Sequence, residues 1–362
     1  MEFGLTGIPN FGKVLFVSAG GMLGATSMYR ISLYMFNLHS TDIFEVSPSF
    51  TNKIDAHLVA NPILALELGI AMIAIGGLSA GALGYISSYP AIRLREDYLG
   101  MLLLGSAELF SVIAAFYQPL VGGPENMVAP DLLSPFGSNE KYVALVLLAA
   151  FAAIVYVYAN RVSKSPLGRT LKAIRDNEVA SEAIGKDNVA IRRKMLVVAS
   201  ILSGIAGALW AIYWSQIGAL IGGDVGSTFP RLLYTFYPFT IVILGGIASN
   251  FGVLLGAIAL TGIYIITTES LPSLVANVSI SWVNPQLLNN FLNSLQYIII
   301  GGLLIVILLV RPEGLIREKP TFTLSKKKLN EIAESVAGKP ERRSSESRPE
   351  PQRRDSTTSA GA

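Results

Sequence analysis

Ser165-Pro166-Leu167-Gly168-Arg169-Thr170-Leu171-Lys172-Ala173-Ile174-Arg175-Asp176-Asn177-Glu178, running on to Gly185, is a polar, strongly basic insert in a mostly hydrophobic chain of 362 residues. It separates two apolar stretches, each long enough to cross a bilayer. The insert carries its own start and stop signals. Ser165 suits an N-cap, with Pro166 at the first helical position. Leu167, Leu171 and Ile174 recur at i, i+4 and i+7, which places them on one helical face. Asp176-Asn177 interrupts and recaps, Glu178 suits the first turn of a second short helix, and Gly185 ends it. Val179, Ala180, Ala183 and Ile184 give that second helix an apolar side. The pattern predicts two short amphipathic helices across the membrane face, one continuous helix being the alternative. A solvated basic loop that merely obeys the positive-inside rule needs neither caps nor spacing.

Outward from the insert, composition excludes most soluble classes. Hydrophobic residues make up 51% of the chain and charged residues 15%, with a mean hydropathy of +0.51. A typical soluble domain is about 25% charged. Apolar windows of bilayer-spanning length recur, and in lipid such segments must be helices because nothing else satisfies their backbone. There is no cysteine, which rules out disulfides, thiolate metal sites and cysteine nucleophiles. The two histidines, His39 and His57, fall in one loop and make no metal site by themselves. The first residues, Met-Glu-Phe-Gly, lack the basic start of a signal peptide.

The sequence therefore predicts an all-α, polytopic membrane helix bundle with about eight spans: 13–36, 61–86, 97–118, 141–160, 195–217, 232–247, 251–268 and 288–310. A glycine-rich turn, Gly245-Gly246-Ile247-Ala248-Ser249-Asn250-Phe251-Gly252, separates the sixth and seventh and favours a tight or re-entrant hairpin. Of the 28 Lys and Arg, 23 lie in 89–97, 161–194 and 311–362, so these segments are expected in the cytoplasm. Alternation then puts 37–60, 119–140, 218–231 and 269–287 outside, and both termini inside. Residues 1–317 read as the transmembrane domain, with the coupling element at about 161–194. Residues 318–362 read as a charged, mostly disordered cytoplasmic tail, with a short surface helix around Ser325 to Val336.

Small residues are dense in the second and fifth spans: Gly76, Gly77, Ala80, Gly81 and Gly84, then Gly204 and Gly207. They let helix backbones approach closely. Three charges, Arg30, Glu67 and Glu108, fall inside predicted spans, where charge is costly and faces protein or water. Glu67 and Glu108 are the candidates for a translocation path. For Glu108 the plainer reading is an interhelical hydrogen bond to Ser106 or Ser111. Arg30 and Glu67 are expected to snorkel at the outer ends of their spans, and Asp224 and Arg231 to lie outside. Gly7-Ile8-Pro9-Asn10-Phe11-Gly12-Lys13 fits most of a P-loop, but Val14 stands where Ser or Thr must hold magnesium. Trp210, Tyr213 and Trp214 suit a membrane interface. Asn277-Val278-Ser279 is a glycosylation sequon in a predicted external loop. No catalytic constellation and no metal-ligand cluster is present in the sequence.

Ser165-Pro166-Leu167-Gly168-Arg169, Ala173-Ile174-Arg175-Asp176-Asn177-Glu178 and Glu182-Ala183-Ile184-Gly185 together resemble the cytoplasmic signature of LivM-type permeases, membrane subunits of branched-chain amino-acid ABC importers. The likeness continues through Ser203–Leu209, Val242–Gly252 and Arg311-Pro312-Glu313-Gly314-Leu315. Upstream, Arg93-Leu94-Arg95, Glu108 and Asn10-Phe11-Gly12 also look like family elements. It covers roughly residues 7–317, in the family order. The family pattern has a hydrophobic helix before the Asn-Phe-Gly turn, where this sequence has nine residues, and a shorter tail after Arg317.

The resemblance implies a permease with no enzymatic site of its own. Its partners would be a second, LivH-like permease, two cytoplasmic ATPases that bind ATP and magnesium, and an extracytoplasmic amino-acid-binding protein. The setting would be the cell membrane, with lipid around the chain and no nucleic acid. It also implies that the insert docks in a groove of one ATPase. Arg169, Arg175, Glu178 and Glu182 are the expected polar contacts, and Leu171 and Ile174 the apolar anchor. Gly168 and Gly185 complete the coupling set. Two other readings stand beside it: a urea or short-amide importer, whose element also holds an Ile-Arg-Asp-Asn-Glu run, and an ion-coupled carrier or channel. The carrier would need paired ionisable residues at mid-membrane. A purely structural scaffold leaves the capped insert unexplained.

Overall fold

In the computed structural model, three helices cross at a point where glycines bring their backbones into contact, with only alanine methyls beside them. In chain order the elements are α1 (Lys13–Met35), α2 (Ser47–Ala60), α3 (Pro62–Ala91), α4 (Glu96–Phe116), α5 (Gln118–Val121), β1 (Met127–Val128), α6 (Glu140–Lys164), α7 (Pro166–Asp176), α8 (Glu178–Ala183), α9 (Asn188–Trp214), β2 (Gln216–Ile217), α10 (Tyr237–Gly245) and α11 (Asn250–Ile265). The structure describes residues 2–40, 42–91, 96–123, 126–218 and 228–266, isolated helical residues between 291 and 310, and 314–316.

The crossing joins α1, α3 and α9. Gly20 of α1 lies on Gly204 of α9, and Gly207 lies on the Val17 carbonyl. A Cβ on Gly76 of α3 would sit 2.6 Å from the Gly20 oxygen and 3.0 Å from the Ala208 methyl. In lipid, such close packing supplies the association energy that the hydrophobic effect supplies in water.

The consequence falls on α1. Most of its residues are buried, including Phe16, Met22, Met28 and Tyr29. It is not among the four helices that length and apolarity alone mark as spans: Pro62–Pro90, Tyr98–Phe116, Ser134–Lys164 and Asn188–Trp214. A helix enclosed by others needs small residues more than apolar ones, which is why Ser18, Thr26 and Ser32 are tolerated inside. Ser18 and Ser32 bond back to carbonyls of their own helix.

The bundle's two ends differ. At the end expected outside, the segments read as loops are structured. Residues 37–60 contain α2, which buries Ile54 and Leu58. The 119–140 segment holds α5, β1 and a 3-10 turn, Ser134–Asn139. β1 pairs antiparallel with β2, Met127 opposite Ile217. Thr51 Oγ1 donates to the Val128 carbonyl at 2.9 Å, and Arg30 donates to the Pro119 carbonyl. His57 stacks on Phe36, and His39 bonds Asn37. Among the described residues no group of three metal-ligating side chains occurs.

At the other end, α10 and α11 form a hairpin whose backbones touch at Gly245 and Gly252. A π-helical turn, Leu232–Phe236, precedes α10. At about 20 and 24 Å, the apolar helices Leu233–Gly245 and Asn250–Ile265 are shorter than the membrane core. Several expectations lie outside the described residues: most of the span at 288–310, Asp224, the 269–287 loop with its sequon, Arg93-Leu94-Arg95, Arg311-Pro312-Glu313, and the 318–362 tail with its short helix.

Two predictions follow from these contacts. Gly204→Leu should abolish the monodisperse, detergent-extracted protein seen by size exclusion, because overpacking here meets backbone; Gly262→Ala, with no atom within 4 Å of its Cβ, should leave it intact. The second concerns Asp55, which lies outside the spans and accepts from the Asp131 N–H at 2.9 Å. Burial pushes its carboxyl up to about 6, with the Asp131 and Glu140 carboxylates adding to the rise and the Asp131 N–H opposing it. A raised carboxyl favours the folded state while protonated, so stability should fall as pH rises from about 4 to 6 and then level off. Asp55→Asn should flatten thermal melting midpoints across that window.

Candidate functional site

The insert forms two capped helices, α7 and α8. Ser165 Oγ accepts from the Gly168 N–H at 3.2 Å and donates to the Val162 carbonyl at 2.7 Å, turning the chain sharply at the end of α6. Gly168 lies on the Val162 and Ser163 carbonyls, where any Cβ would collide. Asn177 Oδ1 accepts from the Ala180 N–H at 3.0 Å and starts α8. Each such cap contributes about 1 kcal/mol. Gly185, at φ +79°, ends α8. Gly185 N–H donates to the Glu182 carbonyl and Lys186 N–H to the Ser181 carbonyl, a Schellman pair.

The structure places the candidate contacts differently from one another. Leu171 and Ile174 face inward and are buried; Leu171 packs on Leu5, Val162 and Met195. They anchor the insert to its own chain, and the apolar side chains presented outward are Leu167, Val179 and Ile184. The apolar side of α8 is thus uncovered, while Ser181 is its buried residue. Arg175 Nη1 donates to the Gly4 carbonyl at 2.7 Å, and its Nε pairs with Asp176. Glu178 pairs with Arg192 at 2.7 Å. Arg169 and Glu182 are exposed.

Residues 2–13 form a joint that the sequence did not reveal. Glu2–Thr6 make a π-helical turn beside α7. Glu2 is buried, pairs with Lys13 at 2.7 Å and accepts from Asn10 at 3.0 Å. Leu5 enters the α7 cluster. Gly4 lies on the Ile247 carbonyl, in the turn between α10 and α11. Phe3 and Phe11 both pack on Phe239 of α10, with ring centroids 5.1 and 4.9 Å away. The Thr235 hydroxyl accepts from the Val14 N–H, one of the donors that the start of α1 leaves unpaired. Leu315 and Ile316 N–H groups donate to the Leu244 and Gly245 carbonyls. The insert is thereby tied through residues 2–13 to the α10–α11 hairpin. The start of α9 is capped by Asp187, which accepts from Ala190 N–H. Its position just before a long apolar helix was a readable signal; nothing in Glu2–Thr6 signalled the joint.

The charges within spans separate too. Arg30 sits near the C-terminal end of α1 with its guanidinium over Phe44. Glu67 is exposed in the second turn of α3. Glu108 pairs with Arg231 at 2.9 Å rather than with Ser106, whose hydroxyl bonds the Leu102 carbonyl, or with Ser111, and this pairing sets Arg231 against α4 instead of in the external loop where the sequence put it.

The chain matches, over residues 1–308, the family described as the branched-chain amino acid transport system permease component. It is 33% identical to a protein of Methanocaldococcus jannaschii described as a probable branched-chain amino acid transport permease LivM, covering 92% of both chains. It is 25% identical to the high-affinity permease LivM of Escherichia coli, over 67% of this chain and 56% of that one. Identity to the permease LivH of Salmonella typhimurium is 23%, over 81% of this chain and 89% of that one. No solved structure matches. With its apolar helices, this makes the protein a multi-pass membrane protein, and it belongs to the permease components of branched-chain amino acid transport systems.

Proposed function

We propose that this permease is the LivM-type subunit of an ABC importer for branched-chain or other hydrophobic amino acids. The observation that carries the reading is the doubly capped α7–α8 insert, held rigidly at one end of the bundle while its outer surface stays uncovered. The insert and the start of α9 are rich in Lys and Arg, so this end faces the cytoplasm, as do both termini. A cytoplasmic ATPase, one of two that bind ATP and magnesium, takes the exposed surface. Leu167, Val179 and Ile184 supply its apolar part, and Arg169 and Glu182 its charges. Leu171, Ile174, Arg175 and Glu178 hold the insert to the bundle, and Gly168 and Gly185 set its turns. A second, LivH-like permease completes the membrane portion. An external amino-acid-binding protein docks on the opposite end, where α2 and the β1–β2 pair offer a fixed surface.

Energy enters through motion. A bistable membrane element changes state when the ATPases close, and the insert delivers that stroke through residues 2–13 to the α10–α11 hairpin. The test is ATP-driven leucine uptake by the assembled importer in vesicles. Arg169→Glu with Glu182→Lys should lower ATPase association about tenfold or more, the loss of two rim charges and an added repulsion. Gly4→Val should retain association but sever the Ile247 contact, so that uptake per ATP hydrolysed falls. Uptake by the permease without its ATPases, or full coupling in the Gly4→Val variant, would overturn the reading.

A further inference from the structure

The Glu108–Arg231 ion pair stands inside the membrane and half open to whatever surrounds the chain. Its depth follows from neighbours of known height. Leu103 of α4 packs on Gly12, at the inner end of α1, and Glu108 lies about 8 Å further along α4. On the other side, Thr235 bonds Val14, while the Phe229 ring lies where a Cβ on Gly21 would be. Arg231 lies between Phe229 and Thr235, so both groups stand beside the second turn of α1. That is on the inner side of the Gly20–Gly76–Gly204 crossing. The ion pairs Lys13–Glu2, Arg175–Asp176 and Arg192–Glu178 belong instead to the end that carries the insert.

The side chains of Arg231 and Glu108 remain 42% and 41% exposed. Hydrocarbon against such a pair costs several kcal/mol, and intramembrane charges therefore face protein or water. The pair stands at the edge of an exposed α4 face that carries Met101, Leu109 and Phe116, and Gly105, one turn inward of Glu108, leaves a notch there with no atom within 4 Å of its Cβ. Arg231 also begins the helical run that continues through the Leu232–Phe236 turn into α10, the element bearing Phe239 of the cytoplasmic joint.

We propose that Glu108 and Arg231 line the translocation path and hold the two charged ends of a passing zwitterionic α-amino acid. The Glu108 carboxylate accepts from the substrate's α-ammonium, and the Arg231 guanidinium grips its α-carboxylate, a pairing that guanidinium geometry favours. Without substrate the two groups satisfy each other and close the path. Movement of α10 draws Arg231 from Glu108 and opens the gap. This rests on the reading of the chain as an amino-acid permease and assigns that permease a site.

The cysteine-free sequence permits a direct test. Single cysteines are placed at Gly105→Cys, which leaves the pair intact, and at Ile154→Cys, exposed on α6, the least buried of the four long apolar helices. The assembled importer in vesicles is treated with a membrane-impermeant cationic methanethiosulfonate, which needs a hydrated thiolate. The Gly105→Cys variant should label about tenfold or more faster than the Ile154→Cys variant. Leucine-loaded binding protein with magnesium-ATP should slow that labelling, and adding Glu108→Gln should remove the protection while leaving labelling fast. If the Gly105→Cys variant is as inert as the Ile154→Cys variant, the face meets lipid and the proposal fails. Fast labelling that substrate does not slow, or protection that survives Glu108→Gln, also overturns it. Failure of the wild-type importer to take up leucine would instead overturn the functional reading.

Discussion

Everything in this bundle depends on backbone meeting backbone at Gly20, Gly76, Gly204 and Gly207. Because lipid provides no hydrophobic drive to bring helices together, the three central helices must gain their association energy from close approach. Glycine supplies that approach at the cost of apolar surface. The enclosed α1 can accordingly be only moderately apolar, and the helices around it carry the lipid-facing surface. One consequence is mechanical. A core held by interlocked backbone deforms little, so motion has to occur in the elements outside it.

Those outer elements divide into a fixed end and a linked end. At one end, α2, the β1–β2 pair and the 3-10 turn knit three connecting segments with long-range side-chain bonds: Thr51 to Val128, Gln118 to Asp42, and the Asp131 N–H to Asp55. At the opposite end, separate pieces converge on residues 2–13. Leu5 holds the insert, Gly4 the Ile247 turn, and Phe3 with Phe11 the ring of Phe239. The contacts there are a few rings, a carbonyl and a guanidinium. Such a joint can transmit displacement without being part of the crossing.

Local signals made much of this legible. Seven of the expected spans coincide with helices among the described residues, because hydropathy and helix length are properties of a single segment. The caps at Ser165 and Asn177 and the stop at Gly185 were readable for the same reason. The face formed by Leu171 and Ile174 was also legible as a face. What covers it was not, since an i, i+4, i+7 stripe looks the same whether it meets a partner or Leu5 of its own chain. Pairings across long sequence separations stayed hidden: Arg231 with Glu108, Arg175 with Gly4, Val128 with Gln216. The α2 helix was hidden by its mixed composition, which in a membrane protein reads as loop.

The placement of charge connects the two ends. Four of the side chains near the joint, Glu2, Lys13, Glu178 and Arg192, form two pairs, each with one partner largely sheltered, Glu2 at 8% and Arg192 at 17% exposure. Their value lies in geometry: they fix the register of the insert and of the first turn of α1. Placed within the membrane as proposed above, Glu108 and Arg231 are governed by different physics, because a low-dielectric surrounding raises both the cost of each charge and the attraction between them. A half-open pair in that setting gains or loses several kcal/mol when its surroundings change from lipid to water or when its distance changes. Since Arg231 and Phe239 belong to one helical run, a displacement at the joint acts on the Glu108–Arg231 pair as well. The chain thus keeps its sheltered, geometry-setting pairs at the joint and a half-open pair at the far end of the helical run that leaves it.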